Sequence, residues 1–573
     1  MRASPHGGPA PARRELRAFR EAVLSREVGA ARKEWGGRTR VALVYPNRYA
    51  TGMSNLGFLT VHARINARPG ALCERAFLPG PAEWRLLRER GLPLSTLESG
   101  RPLADFDIVA FSLSYENDLL NVPPILSAAG IPPFRSLRGA GARSGPLVLA
   151  GGFAASLNPE PAGTLADAVV VGDGERAVEA ILALGPPRPG DPGYLADLAS
   201  VPGVYVPGGY EPQYAGPGEE GIFLALTPRP GFPDRVVREE VPLADFPPVF
   251  PVLAEDTELG RMALVETSRG CPRMCGFCAA AHACPRYREA LLEHVRAAVD
   301  AAWPHRKRIG LIGAAVLDWA PFKELSREIL ARGGAVSPAS VRADLVDEET
   351  AGILGRSGHR TVALAPECGD ETLRARVGKP LSDEAFHAAA RALVRAGIVS
   401  FKLYFLIGLP GTACDAEVAG TVAFLRRFRD VVLEEGRAGG RLGTVTATLS
   451  PFVPKPFTPM QWAPMAPETE LDERRERIAR AVRAVPNLRV SPGAAREAVV
   501  QAYLGLSDRR VAAALERART GRMKTSGREA AAGIDRVVFR EKEADERFPW
   551  DVIEGGLPRR VLRARYEAFR RRG

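Results

Sequence analysis

Ser268-Arg269-Gly270-Cys271-Pro272-Arg273-Met274-Cys275-Gly276-Phe277-Cys278 follows the short apolar run Ala263–Glu266, and this junction of strand and cysteines decides the reading of the chain. The spacing C-x3-C-x2-C offers three thiolates from one loop. A [4Fe–4S] cluster kept only for electron transfer normally takes four cysteines. Three leave one iron open, and an open metal position usually signals catalysis, as it does for zinc. Three alternatives stand beside this one. A structural zinc would want a fourth ligand and usually two separated pairs. A disulfide is disfavoured by the odd total of seven cysteines and by the lack of a secretory signal. Cys284 could close the cluster and leave an electron carrier, although an isolated cysteine is more often a small buried hydrophobe.

Outward from that loop, strand and helix patterns alternate six times. The expected strands are Ala263–Glu266, Arg308–Ala315, Val336–Arg342, Thr361–Pro366, Ser400–Ile407 and Thr444–Ser450. Helices are expected near Arg288–Ala302, Pro321–Arg332, Asp347–Arg356, Asp383–Ala396, Asp415–Leu433 and Leu471–Ala484, with Ser382 capping the fourth. Six such units predict a parallel (β/α)6 partial barrel, in which chemistry collects at the C-terminal ends of strands.

Ahead of it, Arg40–Tyr45, Asp107–Ser112, Pro146–Ala150 and Ala168–Val171 read as short buried strands. They predict a doubly wound, Rossmann-like α/β domain, with Gly-rich turns at strand ends where such sheets bind ligands. The expected organisation is a leader over 1–38, the α/β domain over 39–184 and a Pro/Gly-rich connector with a short β-hairpin over 185–256. The barrel follows over 257–486, then a mainly helical C-terminal region over 487–573.

Composition narrows the function classes. At 573 residues the chain exceeds a single core. No apolar run approaches the ~18 residues needed to span a bilayer, and no secretory signal is visible, so a cytoplasmic location is expected. The net charge is +11, and only eight of the 78 basic residues are lysine. That charge allows RNA as a partner; the alternative is a set of arginines spread over solvated faces. The last helix, Pro558 to Gly573, sets Leu562, Tyr566 and Phe569 on one face among Arg559, Arg560, Arg563, Arg565 and Arg570 to Arg572. Docking of its apolar stripe is the default expectation.

The cysteine run resembles that of the radical S-adenosylmethionine (SAM) enzymes. The resemblance implies that Cys271, Cys275 and Cys278 hold a [4Fe–4S] cluster whose open iron chelates SAM. An electron from a flavodoxin- or ferredoxin-type donor then breaks the carbon–sulfur bond and releases a 5′-deoxyadenosyl radical. It also implies roles along the strand ends. Phe277 would place a ring beside adenine. Gly313, in Gly313-Ala314-Ala315, stands where the family has a Gly-Gly-Glu run for the SAM amine, with Asp318 or backbone carbonyls in place of the absent Glu. Arg342 would read the SAM carboxylate, its alternative being an ion pair with Asp344. Glu367 would take ribose hydroxyls or the amine, its alternative an ion pair with Arg374 or Arg342. Gly408 and Pro410 resemble the G-x-I-x-G-x-P element that runs along adenine; Lys402 would face the barrel interior or the SAM and substrate side, its alternative an ordinary place in the strand's amphipathic pattern. The loop Pro451–Trp462, with four prolines, would wall or lid the site or else pack on the C-terminal region.

The first domain resembles the cobalamin-binding-like domain that precedes many radical SAM barrels, on Asn47–Gly57, Gly151-Gly152 through Asn158-Pro159-Glu160-Pro161, and Gly172-Asp173-Gly174-Glu175. It departs from the base-off, His-on type in lacking D-x-H-x-x-G, and His62 reads as an ordinary helix residue. Cobalamin therefore enters as a cofactor the resemblance allows. The implied activity is reductive cleavage of SAM and hydrogen abstraction from an unidentified substrate, for methyl transfer or RNA modification. A non-catalytic iron–sulfur carrier or RNA-binding scaffold is the rival.

Overall fold

The computed structural model describes residues 10–138, 145–187, 191–216, 221–248, 252–284, 286–491, 495–519 and 533–571. The first part of the expected leader and Arg572 and Gly573 of the last helix lie outside them.

The first domain is built on β1 (Thr39–Tyr45), β2 (Ala71–Phe77), β3 (Ile108–Ser112), β4 (Leu147–Gly151), β5 (Ala168–Val170) and β6 (Val204–Tyr205). They form one sheet in the order β2-β1-β3-β4-β5-β6, parallel except for the edge pair β5–β6. Val41, Leu43, Ile108 and Leu149 sink into the core on one face, while Ala42, Val44, Val109 and Val148 sink into the core on the other. Burial on both faces is why these strands read as unbroken apolar runs. Strand β2 was not expected, because Glu74 and Arg75 interrupt its apolar pattern. Both are buried and satisfied: Glu74 accepts from Trp35 and Thr96, and Arg75 lies between Glu27 and Glu98.

The expected connector holds the hairpin β7 (Tyr210–Ala215) and β8 (Ile222–Pro228). It also holds β9 (Val236–Val237), whose partner lies near the chain's end.

The barrel strands are β10 (Ala263–Glu266), followed by the short antiparallel pair β11 (Ser268–Arg269) and β12 (Arg288–Glu289), then β13 (Arg308–Ile312), β14 (Ala335–Pro338), β15 (Thr361–Glu367), β16 (Ser400–Ile407), β17 (Thr444–Pro451) and β18 (Leu488–Ser491). All six expected barrel strands are present. Strand β18, within the region expected to be helical, pairs parallel with β17 and makes a seventh. Hydrogen bonding divides the seven into β10-β13-β14 and β15-β16-β17-β18.

The second sheet has one buried and one exposed face. Phe401, Leu403, Phe405, Val445 and Leu449 are buried, with Phe401 and Phe405 edge-on to Phe428 and Phe424 of the helix Cys414–Ala438. Alternate residues Lys402 and Tyr404 are exposed, and Lys402 shares a row with Thr446 and Arg489. The opposite face is therefore polar and reachable. Ser382 caps its helix as expected, accepting from the Ala385 N–H.

The C-terminal region binds the halves together. Strand β19 (Ile553–Glu554) pairs with β9. Asn158 donates to the carbonyls of Gly505 and Ser507 at 3.1 and 2.8 Å. Glu160, fully buried, accepts from Tyr205 and pairs with Arg509 at 2.7 Å. Lys455 pairs with Glu116. The last helix, Arg559–Arg571, docks as expected through Leu562, Tyr566 and Phe569, with Tyr566 stacked on Trp462.

Candidate active site at the barrel rim and the domain junction

The three-cysteine loop follows the C-terminal end of β10 and is held between β11 and β12, whose antiparallel pairing closes its base. Its shape is set by backbone, beginning with Gly270 at φ +75, where a Cβ would meet the Cys284 carbonyl at 2.7 Å. Met274 takes the left-handed conformation at φ 54, uncommon for a side chain of that kind. The Gly276 N–H donates to the Val377 carbonyl at 2.8 Å, and the Cys278 N–H to the Cys275 carbonyl at 3.0 Å. Gly378, at φ +79, lies against the backbone of residues 274–276, where any Cβ would come within 3.3–3.5 Å of it. The loop is therefore seated on the turn that follows β15.

All three thiols are free and half-buried. Burial pushes Cys275 up to about 11, against the pull of the Lys379 ammonium. Burial also raises Cys278, against the N–H groups of Ala280 and Ala281. Iron would take these thiols as thiolates outright, as metals do. Among the described residues no three His, Cys, Asp or Glu side chains gather closely enough to hold one metal ion. The ligands of an iron–sulfur cubane serve three separate irons, so three soft thiols on one loop suit a cluster better than a zinc.

Around the loop, Glu367 ends β15 in the left-handed conformation at φ 65, where the β15–β16 register slips between Leu364 and Glu367. A strained, non-glycine backbone of this kind at a strand end is typical of functional sites. Its carboxylate pairs with Lys379 at 2.8 Å, not with Arg374 or Arg342. Arg374 is taken by Asp383 and by the Leu381 and Cys368 carbonyls.

Arg342 closes a fork on Asp344 at 2.9 and 3.0 Å, the ion pair held as its alternative. Asp318 pairs with Arg273 of the cysteine loop, and its Oδ2 is buried without a hydrogen-bond partner, as is Ser268 Oγ. Gly313 lies where a Cβ would meet Ser268 Oγ at 2.6 Å. Gly408, at φ +76, donates its N–H to both Glu417 oxygens at 3.0 and 3.1 Å, and Arg474 holds that buried carboxylate. The Pro410 carbonyl accepts from Arg376 at 3.4 Å. Phe277 is half-buried against the main core. Unpartnered acceptors beside the thiols fit a cationic amine, so the rim suits SAM next to a cluster. Lys379 and Arg273 were missed in the sequence: the first is identified by the approach of β15's turn to the cysteine loop, the second by its ion pair with the Asp318 that follows β13.

A cavity of about 510 Å3 lies at the C-terminal ends of β1 and β3, the switch point of the 2-1-3-4-5 strand order, where open α/β sheets bind ligands. Its deep walls are apolar, with Leu43, Ile108, Leu149 and Ile181. The motif residues Asn55, Gly152 and Gly174 line it, and across the junction so do Glu266, Arg269 and Cys284. Cys284 thus faces this cavity, under the charges of Arg238 and Asp173. His62 does not line it. It is buried in the helix Leu56–Ala67 and driven down to about 3 by burial and then by Arg75.

Three thiols on the first loop of a partial barrel, joined to a doubly wound domain whose cavity reaches the junction at Glu266, Arg269 and Cys284, define a two-domain class with room for a metal cofactor. Two family descriptions match: "Radical SAM proteins, N-terminal" over residues 57–207 and "Radical SAM superfamily" over residues 265–424. The chain belongs to the radical SAM superfamily of enzymes, whose members use SAM and a [4Fe–4S] cluster. An uncharacterized protein of Methanocaldococcus jannaschii, MJ0966, is 24% identical over 424 residues, which is 73% of this chain and 78% of that one. Among solved structures, the radical SAM methyltransferase TsrM from Kitasatospora setae, with tryptophan substrate and a SAM analog bound, is similar at 16% identity and TM-score 0.47. The match covers 82% of this chain and 89% of that one. The cobalamin-dependent enzyme OxsB with aqua-cobalamin bound is similar at 16% identity and TM-score 0.44, over 68% of this chain and 52% of that one. No helix among the described residues is long and apolar enough to cross a membrane.

Proposed function

We propose that this enzyme carries a [4Fe–4S] cluster on Cys271, Cys275 and Cys278 and cleaves SAM reductively to act on a substrate between the barrel rim and the first domain. The observation that carries this reading is the three-thiol loop seated on Gly378, with the buried Asp318 Oδ2 left unpartnered where its carboxylate meets Arg273 of the same loop. A cluster bound there would supply the single electron that breaks the SAM carbon–sulfur bond.

The chain's own residues do the rest. Lys379 holds Glu367 at the rim, Asp318 and Ser268 offer acceptors to the amine, and the Gly408 turn, fixed by Glu417, sets the backbone beside the adenine position. The exposed face of β16, with Lys402 and Tyr404, gives the substrate a polar approach. The apolar cavity at the switch point supports a corrinoid as a second cofactor, and with it methyl transfer. A flavodoxin- or ferredoxin-type donor is the proposed electron source and the cytoplasm the proposed location.

The test is anaerobic reconstitution with iron and sulfide, then SAM and dithionite. The expected outcome is about four irons per chain and release of 5′-deoxyadenosine. Alanine at any of the three cysteines should abolish both, while Cys284→Ala keeps them. A cluster lost with Cys284 and no 5′-deoxyadenosine would instead mark an electron carrier.

A further inference from the structure

Arg238, directly after β9, is buried and lines the switch-point cavity. Its Nε, Nη1 and Nη2 all lack hydrogen-bond partners among the described residues. The guanidinium lies over the Phe457 ring at 4.6 Å, and its backbone is fixed by donation to the Glu554 carbonyl at 2.7 Å.

The nearby carboxylates are already committed. Asp173 is paired with Arg269 and Arg288, Glu175 and Glu266 with Arg269, and Glu239 with Arg176. Glu240, 3.9 Å from Arg286, and Asp173 act on the Arg238 charge through space, but neither accepts a hydrogen bond from it. Burial raises the neighbouring Cys284 thiol, so it stays neutral and supplies no counter-charge. Arginine cannot shed its proton, and an uncompensated buried charge is costly.

A second feature converges on the same space. The helix Gly174–Ala183 begins at the cavity, and its N-cap Asp173 makes no side-chain cap bond, being turned to the arginines and to the Val241 N–H. Gly174 and Glu175 line the cavity, so an uncapped helix N-terminus faces it, a ready anion site. Gly172, at φ +99, lets the Glu239 backbone pack against this turn, since a Cβ there would strike the Glu239 carbonyl.

We propose that Arg238 and the N-terminus of the helix Gly174–Ala183 form a phosphate anchor for the ligand of the switch-point cavity. A guanidinium free on all three nitrogens matches a phosphate, which offers more acceptor oxygens than a carboxylate. The phosphate belongs either to the nucleotide tail of a corrinoid or to a phosphorylated substrate. The first source rests on the corrinoid reading above; the second does not.

The experiment compares the full-length protein with Arg238→Met and Arg238→Lys. In chloride buffer, Arg238→Met should melt at or above the wild type, since it removes an unpaired buried charge. Millimolar inorganic phosphate should raise the wild-type Tm, leave Arg238→Met unmoved and act on Arg238→Lys with weakened effect. A Met variant that melts several degrees lower, with all three proteins responding equally to phosphate, overturns the proposal. If the Met variant does not fold, an undiminished response of Arg238→Lys overturns it.

Titration with hydroxocobalamin and with cobinamide, which lacks the phosphate, separates the sources. A tenfold or greater loss of hydroxocobalamin affinity in the variants, with cobinamide unaffected, assigns the phosphate to the corrinoid tail. Equal hydroxocobalamin affinity, with the Arg238-dependent phosphate response retained, assigns it to a substrate. A wild type that binds no corrinoid but keeps that response sinks the corrinoid reading and leaves the anchor standing.

Discussion

Lys542 shows what a single buried charge does in this structure. It follows the π-turn Asp535–Phe539 and is almost wholly enclosed, with only the Ala463 carbonyl at 3.5 Å from its Nζ. Desolvation lowers it from 10.5 to about 7, with Glu546 opposing and Arg540 adding to the shift. Between about pH 7 and 10.5 the unfolded chain holds a proton that the folded chain does not. Stability therefore rises with pH across that window, and the penalty is at full size below it. Lys542→Met should melt higher than the wild type at pH 6 to 7, by roughly 1–3 kcal/mol after relaxation, with the gap closing toward pH 10. Paired thermal melts across that range check it; a gap independent of pH would count against the assignment.

At the scale of elements, the decisive contact is between the turn after β15 and the cysteine loop. Gly378→Ala places a Cβ against the backbone of residues 274–276 at a positive φ, at a cost of about 1–2 kcal/mol. The expected result is a folded protein that incorporates markedly less iron, read from the iron-to-protein ratio after reconstitution. Full incorporation would mean the loop does not depend on this seat. Neither Gly378 nor Lys379 could be singled out in the sequence, because their role comes from a partner about a hundred residues upstream.

The barrel strands were legible since each is an apolar run followed by an amphipathic helix, and Ser400–Ile407 agrees to the residue. The first domain's strand Ala71–Phe77 was not. Its Glu74 and Arg75 break the apolar pattern, and only their buried partners Thr96, Glu27 and Glu98 make them tolerable there. Strand β18 was lost for another reason: four residues after a long charged helix carry too little pattern to stand out. In the site, the cysteine spacing was plain, and the Arg342–Asp344 pair was open to view as two charges two residues apart, but nothing in the sequence tied Gly408 to Glu417, whose carboxylate reaches back across the turn. Arg238 was hidden in a segment read as a connector, since a lone arginine beside Pro/Gly-rich chain looks solvated.

For the whole molecule, the run Asn158-Pro159-Glu160-Pro161 joins the first domain to the C-terminal region. Glu160 is fully enclosed, and its oxygens are met by Tyr205 and by Arg509, 349 residues away along the chain. Arg509→Ala leaves that carboxylate buried without its cation, at about 3–5 kcal/mol. Limited proteolysis should then separate the first domain from the barrel, with cleavage at least tenfold faster than in the wild type. An unchanged digestion pattern would show that the other contacts suffice.

The pairing of β9 with β19 sets an order of assembly. The backbone that aims Arg238 into the cavity is completed by residues 553–554, which are synthesised long after Arg238 itself. Until they arrive, the core that the first domain shares with the barrel can begin to condense, but the mouth between them has no finished edge. A bulky ligand thus meets a wider doorway during synthesis than in the mature enzyme, and the final strand is the step that narrows it.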